Sequence, residues 1–504
     1  MSQNRRDFIK FVVAGAIATG CPIDLSLLAE PTRARSAVDG EDNEICHKVR
    51  DGFHFELPAV SSRHEVVIVG GGISGLAAAY YLSARDWLLL EKEPHWGGNA
   101  YAMDYNGSEY ATGAAFFLDE KDEAAELARA VDLKLLPIGV WDGTILKGEY
   151  IPDMWGDGLD KIPYPATVRE AFKKFKKEML VIDVDKRAKE LDNIPFSHFL
   201  KGYPPALTKW WNCFAPSNWG ALVHESSSLA AIGDFQGFAN EDRTLTHMTL
   251  PGGNGALSKR LSEVLLKKNA DSMISSATTI SVQEQRSEVH VTYMHHGKLK
   301  TVAAKGVIMA TPKFITARLV KDLPEAQRTA MMKIRYAPYP LVNLIYDKPV
   351  FNHGYDTWCP GTTFTDVIVA DWTVRNQPGY KQKYNILSFY TPLRETDRTR
   401  LLTEEGSRQI AANVLRDFKR VLPTTNVDPL EVHIYRRGHP MFMATPGTFT
   451  HLIPAAKKPM KRVFFANTDS EGPESLTAGG IAAAKRTIRE FDTHVAGKQA
   501  KPAG

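Results

Sequence analysis

The apolar positions between residues 65 and 90 change their spacing twice, which marks several elements in succession. Residues 65–69 form the β-branched run EVVIV, and a glycine-rich turn separates it from the Ala- and Leu-rich stretch 76–82. A short apolar run bounded by glycine is typical of a buried strand, whereas Ala and Leu favour a helix. The pattern therefore predicts a strand, a tight turn, a helix and a second strand at residues 86–90.

Strand and helix patterns alternate again farther along the chain. A glycine-rich segment at 251–256 precedes a helix with Leu257, Leu261 and Leu265 on its apolar side. Further strands are predicted at 279–283 and 288–293, and a further helix at 476–491. Alternation of this kind favours an α/β fold with a parallel sheet.

The turn after the first strand carries a Gly-x-Gly-x-x-Gly motif made by Gly70, Gly72 and Gly75. The first glycine allows the tight turn, the second lets a pyrophosphate approach the backbone, and the third lets helix and strand pack closely. Ile73 and Ser74 lie within the motif, and the N-terminus of the following helix offers free N–H groups and a positive dipole end to the phosphates. The motif therefore predicts a dinucleotide site.

An acidic residue ends the second predicted strand. Glu91 lies 21 residues after Gly70, where it is placed to accept hydrogen bonds from the ribose hydroxyls of a dinucleotide. Lys92 follows it, and a glycine pair with an asparagine comes shortly afterwards, at Gly97, Gly98 and Asn99. Strand, glycine turn, helix and acid in register make a much stronger indication than an isolated glycine motif.

These motifs resemble those of the FAD-dependent amine oxidase superfamily, from about residue 64 to residue 492. The glycine pair after the ribose acid resembles the second fingerprint of that superfamily, where a loop folds over the FAD pyrophosphate. Three more segments resemble its remaining cofactor contacts, namely TGAAF at 112–116, GVIMATP at 306–312 and RVFFANTD at 462–469. The Gly-Gly-Asn variant and the N-terminus look closest to bacterial spermidine dehydrogenase-like proteins.

The resemblance implies a set of FAD contacts and noncovalent binding, since no cysteine stands in the C-terminal segment that carries covalent flavin in monoamine oxidases. Asp469 is expected at the ribityl–phosphate part, and the helix that includes Thr477 is expected to point its positive end at the flavin ring. The implied cofactor-binding residues are Gly70, Gly72, Ile73, Ser74, Gly75, Glu91, Lys92, Gly97, Gly98, Asn99, Ala114, Ala115, Phe116, Asp469 and Thr477.

Two positions depart from the superfamily pattern. Many amine oxidases have an arginine after the glycine pair, and Asn99 stands there in this chain, which puts one phosphate contact in doubt. Arg318 aligns with a lysine that holds a water near the flavin N5 atom. An arginine keeps the positive charge but does not titrate near neutral pH, so dehydrogenation is expected rather than strict oxidase chemistry. The alternative is that Arg318 is an ordinary surface cation.

Two segments outside the cofactor pattern, 117–246 and 318–455, are rich in aromatic residues. In the superfamily such inserts build the substrate domain. An apolar aromatic pocket favours the neutral form of an amine by desolvation. Phe442 and Phe449 are the candidates for an aromatic cage beside the flavin; the alternative is that these rings fill a core.

We predict a two-domain α/β flavoprotein with a Rossmann-like FAD-binding domain, of the glutathione-reductase type, and an interleaved α+β substrate domain. The FAD-binding domain is assigned to 64–116, 247–317 and 456–493, and the substrate domain to 117–246 and 318–455. An N-terminal arm at 37–63 and a flexible tail at 494–504 complete the division.

The expected reaction is hydride transfer to flavin N5 from a carbon that bears a primary or secondary amine, possibly of a polyamine, followed by hydrolysis of the imine. Oxygen or a periplasmic carrier would accept the electrons. One alternative is a desaturase or protoporphyrinogen-type oxidase that acts on an apolar substrate. An alternative of another class is an exported flavin-binding protein without catalysis.

The charge, the cysteines and the motifs absent from the chain argue against several classes of partner and reaction. The 504 residues contain 62 Lys and Arg against 58 Asp and Glu, a net charge of +4, which argues against a nucleic-acid binder. The four cysteines include no Cys-x-x-Cys pair, and no metal site is predicted. The chain also lacks a Gly-x-Ser-x-Gly motif and a P-loop, so acyl and phosphoryl transfer have no support.

The N-terminus is predicted to be a twin-arginine export signal, assigned to residues 1–36. Arg5 and Arg6 are followed by Asp-Phe-Ile-Lys and then by an apolar stretch at 11–20 that is too short to span a membrane. The expected partner is the Tat export machinery and the expected location is the periplasm. Cys21 is a candidate lipid anchor, the alternative being cleavage near residues 34–37.

Overall fold

A computed structural model describes residues 35–139, 142–239, 247–375, 377–381, 383–422, 426–472 and 476–495. Residues 35 and 36 are the described part of the predicted export signal, so Cys21 lies outside the described residues. The predicted tail is described as far as residue 495. The strands, in chain order, are β1 (Arg35–Gly40), β2 (Val60–Val69), β3 (Trp87–Leu90), β4 (Ala102–Tyr105), β5 (Ser108–Ala111), β6 (Leu136–Pro137), β7 (Gly143–Leu146), β8 (Glu149–Ile151), β9 (Met248–Thr249), β10 (Met273–Ile274), β11 (Ala277–Glu284), β12 (Val289–His295), β13 (Lys298–Met309), β14 (Tyr336–Ala337), β15 (Leu341–Tyr346), β16 (Asp356–Trp358), β17 (Asp366–Val369), β18 (Asn385–Tyr390), β19 (Glu431–Arg436), β20 (Met441–Phe442) and β21 (Val463–Phe465).

The helices pack on both faces of the larger sheets. In chain order they are α1 (Glu44–Arg50), α2 (Ile73–Tyr81), α3 (Glu123–Ala130), α4 (Ala166–Leu180), α5 (Ala188–Asp192), α6 (Pro205–Trp219), α7 (Ser228–Ala239), α8 (Asn254–Asn269), α9 (Lys313–Leu319), α10 (Glu325–Lys333), α11 (Glu404–Val421), α12 (Ile453–Ala456) and α13 (Thr477–His494). Across the described part of the chain, none of them is both long enough and apolar enough to cross a membrane.

A seven-stranded sheet carries the glycine turn. Its order is β10-β3-β2-β13-β12-β11, with β21 also paired to β13. Strands β10, β3, β2 and β21 run parallel to their neighbours, and residues 66–69 of β2 are almost completely buried. Continuous apolar runs of this kind suit a sheet covered on both faces. The α/β fold class predicted from the sequence is confirmed.

Strand β13 changes partner along its length. Residues 298–304 pair antiparallel with β12, whereas residues 307–309 pair parallel with β21. The parallel part of the sheet thus draws on three stretches of chain, 60–90, 273–309 and 463–465. Parallel neighbours need long crossover connections, which leaves room for the large segments in between.

An eight-stranded sheet forms from those intervening segments, in the order β1-β19-β15-β18-β17-β16-β7-β8. Helices α4, α6 and α7 surround an aromatic core on the same side of the molecule. Within it the rings of Trp155 and Trp210 lie 5.0 Å apart in an edge-to-face arrangement, and Trp211 stacks on Trp219 at 5.7 Å. These tryptophans are buried packing residues.

The predicted N-terminal arm contains a strand and a helix. Strand β1 extends the eight-stranded sheet by pairing parallel with β19. Beyond it the Asp42 N–H donates to Glu93 Oε1 at 3.2 Å, and Lys92 Nζ donates to the Asp42 carbonyl at 3.2 Å. Helix α1 then lies beside β11 and α9. The arm thus connects one edge of the eight-stranded sheet to the segment that follows β3.

Candidate functional site

Two of the motif glycines are required by packing alone. Gly70 has a φ of 106°, and a Cβ atom on it would lie 2.7 Å from the Ala310 carbonyl oxygen. A Cβ atom on Gly75 would lie 1.8 Å from the Gly70 carbonyl oxygen. Since real Cβ atoms do not approach so closely, Gly75 serves the contact between α2 and β2. It does not line the cavity described below.

The second glycine of the motif faces open space. A Cβ atom on Gly72 would meet nothing closer than Gly98 Cα, at 3.9 Å. Helix α2 starts at the next residue, so its first N–H groups have no partner within the helix. Ser74 Oγ is buried and has no hydrogen-bond partner among the described residues. Open space, free N–H groups and an unused hydroxyl are what a diphosphate group requires at a helix N-terminus.

Glu91 is held at the end of β3 by backbone N–H groups. The Gly71 N–H donates to one carboxylate oxygen at 2.6 Å, and the Glu93 N–H donates to the other at 2.8 Å. Burial raises the pKa of Glu91, while these two hydrogen bonds and the neighbouring Lys92 ammonium act against that rise. The carboxyl group lines the cavity, where it can accept hydrogen bonds from ribose hydroxyls.

The glycine pair brings its loop back over the turn. Gly97 and Gly98 have φ values of 119° and 57°, and the Gly97 N–H donates to the Gly71 carbonyl at 2.9 Å. Asn99 Nδ2 donates to the Pro440 carbonyl at 2.6 Å. The loop is therefore fixed both to the glycine turn and to the segment that follows β19.

One elongated cavity joins the glycine turn to the face of the eight-stranded sheet. Arg318 lines this cavity, and so do most of the residues predicted from the sequence to bind the cofactor. These cofactor residues are Gly70, Gly72, Ile73, Ser74, Glu91, Lys92, Gly97, Gly98, Asn99, Ala114, Ala115, Phe116 and Thr477. The structure thus brings residues from 70–116 together with Arg318 and Thr477, which are far apart in the chain. The residues present fit a dinucleotide at the turn.

The structure gives Asp469 protein partners, and its expected contact with the cofactor stays a prediction. Its carboxylate lies behind the cavity wall, where it forms a buried ion pair with Lys313. Its Oδ2 atom also accepts hydrogen bonds from the Lys313 N–H at 2.8 Å and from the Tyr336 hydroxyl at 2.5 Å. These contacts turn the carboxylate away from the cavity, and Asn467 and Thr468 line the wall instead.

The aromatic-cage prediction for Phe442 and Phe449 also stays a prediction, although the structure packs the two rings against each other. Phe442 is buried in β20 opposite Tyr336, and its ring packs against that of Phe449 at 6.2 Å. Neither ring lines the cavity, whereas the preceding residue, Met441, does. Successive residues of a strand point to opposite sides, so a strand that presents Met441 to the cavity directs Phe442 into the core.

Arg318 lies at the end of α9, on the side of the cavity that faces α1. Its Nη1 donates to the Phe314 carbonyl at 2.6 Å, and the guanidinium lies over the Phe314 ring at 5.7 Å. Burial and the neighbouring Arg50 lower the pKa of Arg318. The guanidinium is therefore engaged with its own helix. The expectation that it holds a water beside a flavin stays a prediction.

The other end of the cavity is a face of the eight-stranded sheet. Antiparallel pairing places Trp358 opposite Asp366, Asp366 opposite Tyr390, and Tyr390 opposite Leu341. Asp356 lies two residues before Trp358 and therefore shares its face. All five side chains line the cavity.

Two carboxyl groups meet on this face. Asp366 Oδ1 accepts hydrogen bonds from Ser217 Oγ at 2.8 Å and from Thr365 Oγ1 at 2.5 Å. Asp356 Oδ1 is buried and has no hydrogen-bond partner within the described ranges. Burial raises the pKa of both carboxyl groups, and the charge of Asp366 raises that of Asp356 further. The pair therefore retains protons at pH values at which exposed aspartates are ionised.

Sequence reasoning missed this acid pair and two other features of the cavity. Asn254, at the start of α8, donates to the Phe116 carbonyl at 3.0 Å and to Thr477 Oγ1 at 2.8 Å. Arg437 enters the cavity from the end of β19. The acids stand ten residues apart on adjacent strands. Strand alternation around 356–358 and 366–368 is the one signal that could have placed them on a single face.

Comparison with known proteins finds a matching family profile, similar sequences and a similar solved structure. The profile of the family described as flavin containing amine oxidoreductase matches residues 73–490. Oxidoreductase PigB of Serratia sp. (strain ATCC 39006) is 23% identical over 85% of this chain and 77% of its own length. Chloroplastic protoporphyrinogen oxidase 1 of Arabidopsis thaliana is 22% identical over 90% and 89%. The structure of wild-type putrescine oxidase bound to putrescine superimposes with a TM-score of 0.66 at 18% identity, covering 86% of this chain and 99% of that one.

Proposed function

The chain belongs to the flavin-containing amine oxidoreductase family, and from this premise we propose that it uses FAD to oxidise an amine at the carbon next to nitrogen. The product would be an imine, which hydrolyses to a carbonyl compound and a shorter amine or ammonia. The protein is a flavin-dependent oxidoreductase. The observation that favours an amine as its substrate is the carboxyl pair Asp356 and Asp366 at one end of the cavity.

The identity of the cofactor as FAD is supported by the other end of the cavity. The start of α2, with Gly72 and the unused Ser74 hydroxyl, is suited to a diphosphate, and Glu91 is suited to a ribose. When bound, FAD would supply the acceptor for the hydride that leaves the substrate carbon. Noncovalent binding is supported by the absence of cysteine from residues 456–504. Acid precipitation should release FAD, identifiable by chromatography, and a yellow pellet would contradict this.

The acid pair favours a cationic substrate over an anionic one. An ammonium group placed between the two carboxyl groups would give Asp356 Oδ1 the partner it lacks and would offset the burial of negative charge. The faces of Trp358 and Tyr390 line the same space and can stabilise a cation. Tetrapyrroles that carry carboxylates would bring like charges together here. We therefore favour amines over protoporphyrinogen-type substrates.

The cavity has one region that favours a charged nitrogen and another that favours a neutral one. Leu341 and Ile368 form an apolar wall beside the acids, and an amine against such a wall is favoured in its neutral form. Only a neutral amine has the nitrogen lone pair that stabilises positive charge on the carbon during hydride loss. A substrate with two nitrogens, one held as ammonium by the acids and one neutral, fits both regions. The proposed substrate class is therefore a diamine or polyamine.

Hydrogen bonds fix the segment between the two ends of the cavity. Tyr390 donates to the Gly113 carbonyl at 2.6 Å, and Tyr355 donates to the Ala115 carbonyl at 3.0 Å. Both tyrosines belong to the eight-stranded sheet region, whereas residues 113–115 lead away from the glycine loop. The substrate-binding face is thus held at a fixed distance from the residues proposed to contact the cofactor.

Anaerobic mixing of the purified holoprotein with amines tests the proposal. We expect putrescine or spermidine to bleach the flavin absorbance and a monoamine such as benzylamine to do so far more slowly. Asp366→Asn should weaken the response to diamines. Asp417→Asn should not, because Asp417 is a buried acid of the same region that accepts from the Thr363 N–H and does not line the cavity.

Three other results would point elsewhere. Bleaching by a porphyrinogen but by no amine would support the protoporphyrinogen-type alternative. Absence of turnover with every substrate and every artificial electron acceptor would support the non-catalytic carrier. Equal rates with diamines and monoamines, unaffected by Asp366→Asn, would keep amine oxidation but remove the acid pair from substrate binding.

We also propose that the protein is exported by the twin-arginine route and receives its flavin before export. The support is the sequence Arg5-Arg6-Asp-Phe-Ile-Lys followed by a short apolar stretch. Electrons would then pass to oxygen or to a periplasmic carrier. Replacing both arginines by lysine should retain the protein in the cytoplasm on cell fractionation. Release into the periplasm despite that change would contradict the proposal, and labelling with a lipid precursor would test Cys21 as an anchor.

A further inference from the structure

Arg437 is a buried cation at the cavity wall. It follows β19, only 2% of its surface is exposed, and its side chain lines the cavity. One guanidinium nitrogen donates to the Thr112 carbonyl, and the other lies 3.3 Å from the Gly98 carbonyl and 3.3 Å from Thr112 Oγ1. The Tyr435 ring covers one face of the guanidinium at 4.1 Å. All of these neighbours are uncharged.

Arg437 has no direct ion-pair partner in the described part of the chain. Burial lowers its pKa, and the more distant carboxylates of Glu41 and Asp39 act against that effect without contacting the guanidinium. Among the described residues no carboxylate oxygen lies within 4.0 Å of its guanidinium, in contrast to the buried ammonium of Lys313, which pairs with Asp469. Burial of a charge without a counter-ion is strongly unfavourable unless a ligand supplies the opposite charge. A positive side chain that opens onto a cavity in this state indicates an anionic ligand group at that point.

The surroundings of Arg437 identify which part of the cavity this is. Its Nη2 atom contacts the carbonyl of Gly98, and a Cβ atom on Gly98 would lie 3.1 Å from Gly72 Cα. Gly72 immediately precedes α2, where the open space and the free N–H groups lie. Gly98 therefore lies between the guanidinium and Gly72, which places Arg437 on the glycine-loop side of the cavity.

Asn99 explains why a cation from another segment can reach this point. Many members of the superfamily carry an arginine at the position of Asn99, next to the glycine pair. In this chain Asn99 Nδ2 instead donates to the Pro440 carbonyl. That bond fastens the segment that follows Arg437 to the glycine loop.

We propose that Arg437 is the cationic partner of the cofactor diphosphate, supplied by the eight-stranded sheet in place of the arginine that is absent at position 99. The inference rests on the proposed identity of the cofactor as FAD. Its consequence is that FAD binding joins the two sheets. The α2 end of the site belongs to one sheet and the counter-ion belongs to the other.

Dissociation constants for FAD, measured by re-binding to flavin-free full-length protein, test the proposal. Charge-assisted hydrogen bonds of this kind correspond to about a 10- to 100-fold change in affinity, so Arg437→Met should weaken FAD binding by that factor. Arg437→Lys should recover part of the loss. Arg436→Met is the matched control, because its guanidinium donates to the Leu401 carbonyl away from the cavity.

A rescue variant separates a role in binding from a role in folding. Adding Asn99→Arg to Arg437→Met returns a cation to the glycine loop and should restore most of the FAD affinity. The thermal unfolding midpoint of the flavin-free Arg437→Met protein should be equal to or above that of the wild type, because an unpaired buried charge has been removed.

Several outcomes would overturn the proposal. One is an FAD dissociation constant for Arg437→Met within threefold of the wild type. Another is a lower midpoint of the flavin-free variant, with affinity not restored by Asn99→Arg, which would assign Arg437 a purely structural role. A shifted flavin reduction potential at unchanged affinity would assign the cation to the flavin ring. Release of FMN, or of no flavin, from the wild-type protein would instead overturn the proposed cofactor.

Discussion

Replacement of Lys313 by methionine tests whether Asp469 supports the cavity wall or contacts the cofactor. The ammonium of Lys313 is completely buried and pairs with Asp469 Oδ1, and it also contacts Ser470 Oγ at 2.5 Å. Lys313→Met removes the ammonium and keeps most of the apolar stem. Asp469→Asn removes the opposite charge and keeps the shape of the side chain.

The expected magnitudes follow from the partners that remain. Removal of one member of a buried, hydrogen-bonded ion pair costs about 3–5 kcal/mol of stability. After Lys313→Met, Asp469 Oδ2 keeps three donors, namely the backbone N–H of residue 313, the Tyr336 hydroxyl and Asn467 Nδ2. We therefore expect the lower value, about 3 kcal/mol, for this variant. Asp469→Asn leaves the buried ammonium without a counter-charge, and in either orientation the amide NH2 group faces a donor, the ammonium on one side or the N–H and hydroxyl groups on the other. We therefore expect about 4–5 kcal/mol.

Urea unfolding of the flavin-free protein, followed by tryptophan fluorescence, measures these free energies. The double variant should lose less than the sum of the single losses, by about 1–3 kcal/mol, because it leaves neither charge unpaired. Lys305→Met, at an exposed lysine of β13, is the control and should change stability by no more than about 0.5 kcal/mol.

The reasoning would be refuted if Lys313→Met cost less than about 1 kcal/mol, since a buried charge would then have been left unpaired at no expense. It would equally be refuted if Asp469→Asn left the free energy of unfolding unchanged and weakened flavin binding. That second result would restore the role expected from the sequence, in which Asp469 meets the ribityl–phosphate part of FAD.

Four further predictions address the cavity and its walls. Gly72→Ala should preserve the unfolding midpoint of the flavin-free protein but abolish stable flavin binding, because the new Cβ points into open space, at least 3.9 Å from any neighbour; flavin retained through gel filtration would contradict this. Gly75→Ala should prevent folding, because its Cβ would overlap the Gly70 carbonyl, and soluble expression tests it. Phe442→Ala should cost about 3–5 kcal/mol in urea unfolding as a core truncation, with the KM for amine unchanged; a large rise in KM would return Phe442 to the substrate site. Since burial raises the pKa of Asp356 and Asp366, kcat/KM for a diamine should rise with pH as the pair ionises, and Asp366→Asn should flatten that rise in a pH profile.

The elements of the cofactor side follow closely from local pattern. The apolar run predicted as a strand at 65–69 is the buried end of β2, and the helix predicted at 476–491 is α13, Thr477–His494. A side chain at position 75 would overlap the Gly70 carbonyl, which is close by in the sequence, so the need for glycine at position 75 can be inferred from the local motif. This explains why a glycine motif of six residues locates one end of the cavity.

Other features of the cavity and its wall depend on contacts between distant parts of the chain that no local pattern records. Lys313 and Asp469 are 156 residues apart, and their pairing is decided by the meeting of α9 with the end of β21. The sequence alone therefore does not show that the carboxylate of Asp469 has a protein partner. Arg437 is a similar case, because its contacts with Gly98 and Thr112 span more than 300 residues.

The two ends of the cavity offer different groups to a ligand. The start of α2 and Arg437 provide N–H groups and a positive charge where the glycine loop closes, and the carboxyl groups of Glu41 and Glu91 line the same end. Asp356 and Asp366 lie on the face of the other sheet, with apolar and aromatic side chains between the two ends. Because burial raises the pKa of both aspartates, their end gains negative charge as the pair ionises, and a bound ammonium group favours that ionisation. An ammonium group is therefore favoured at the aspartates, and the reacting carbon is left in the apolar middle, where a neutral amine is the favoured form.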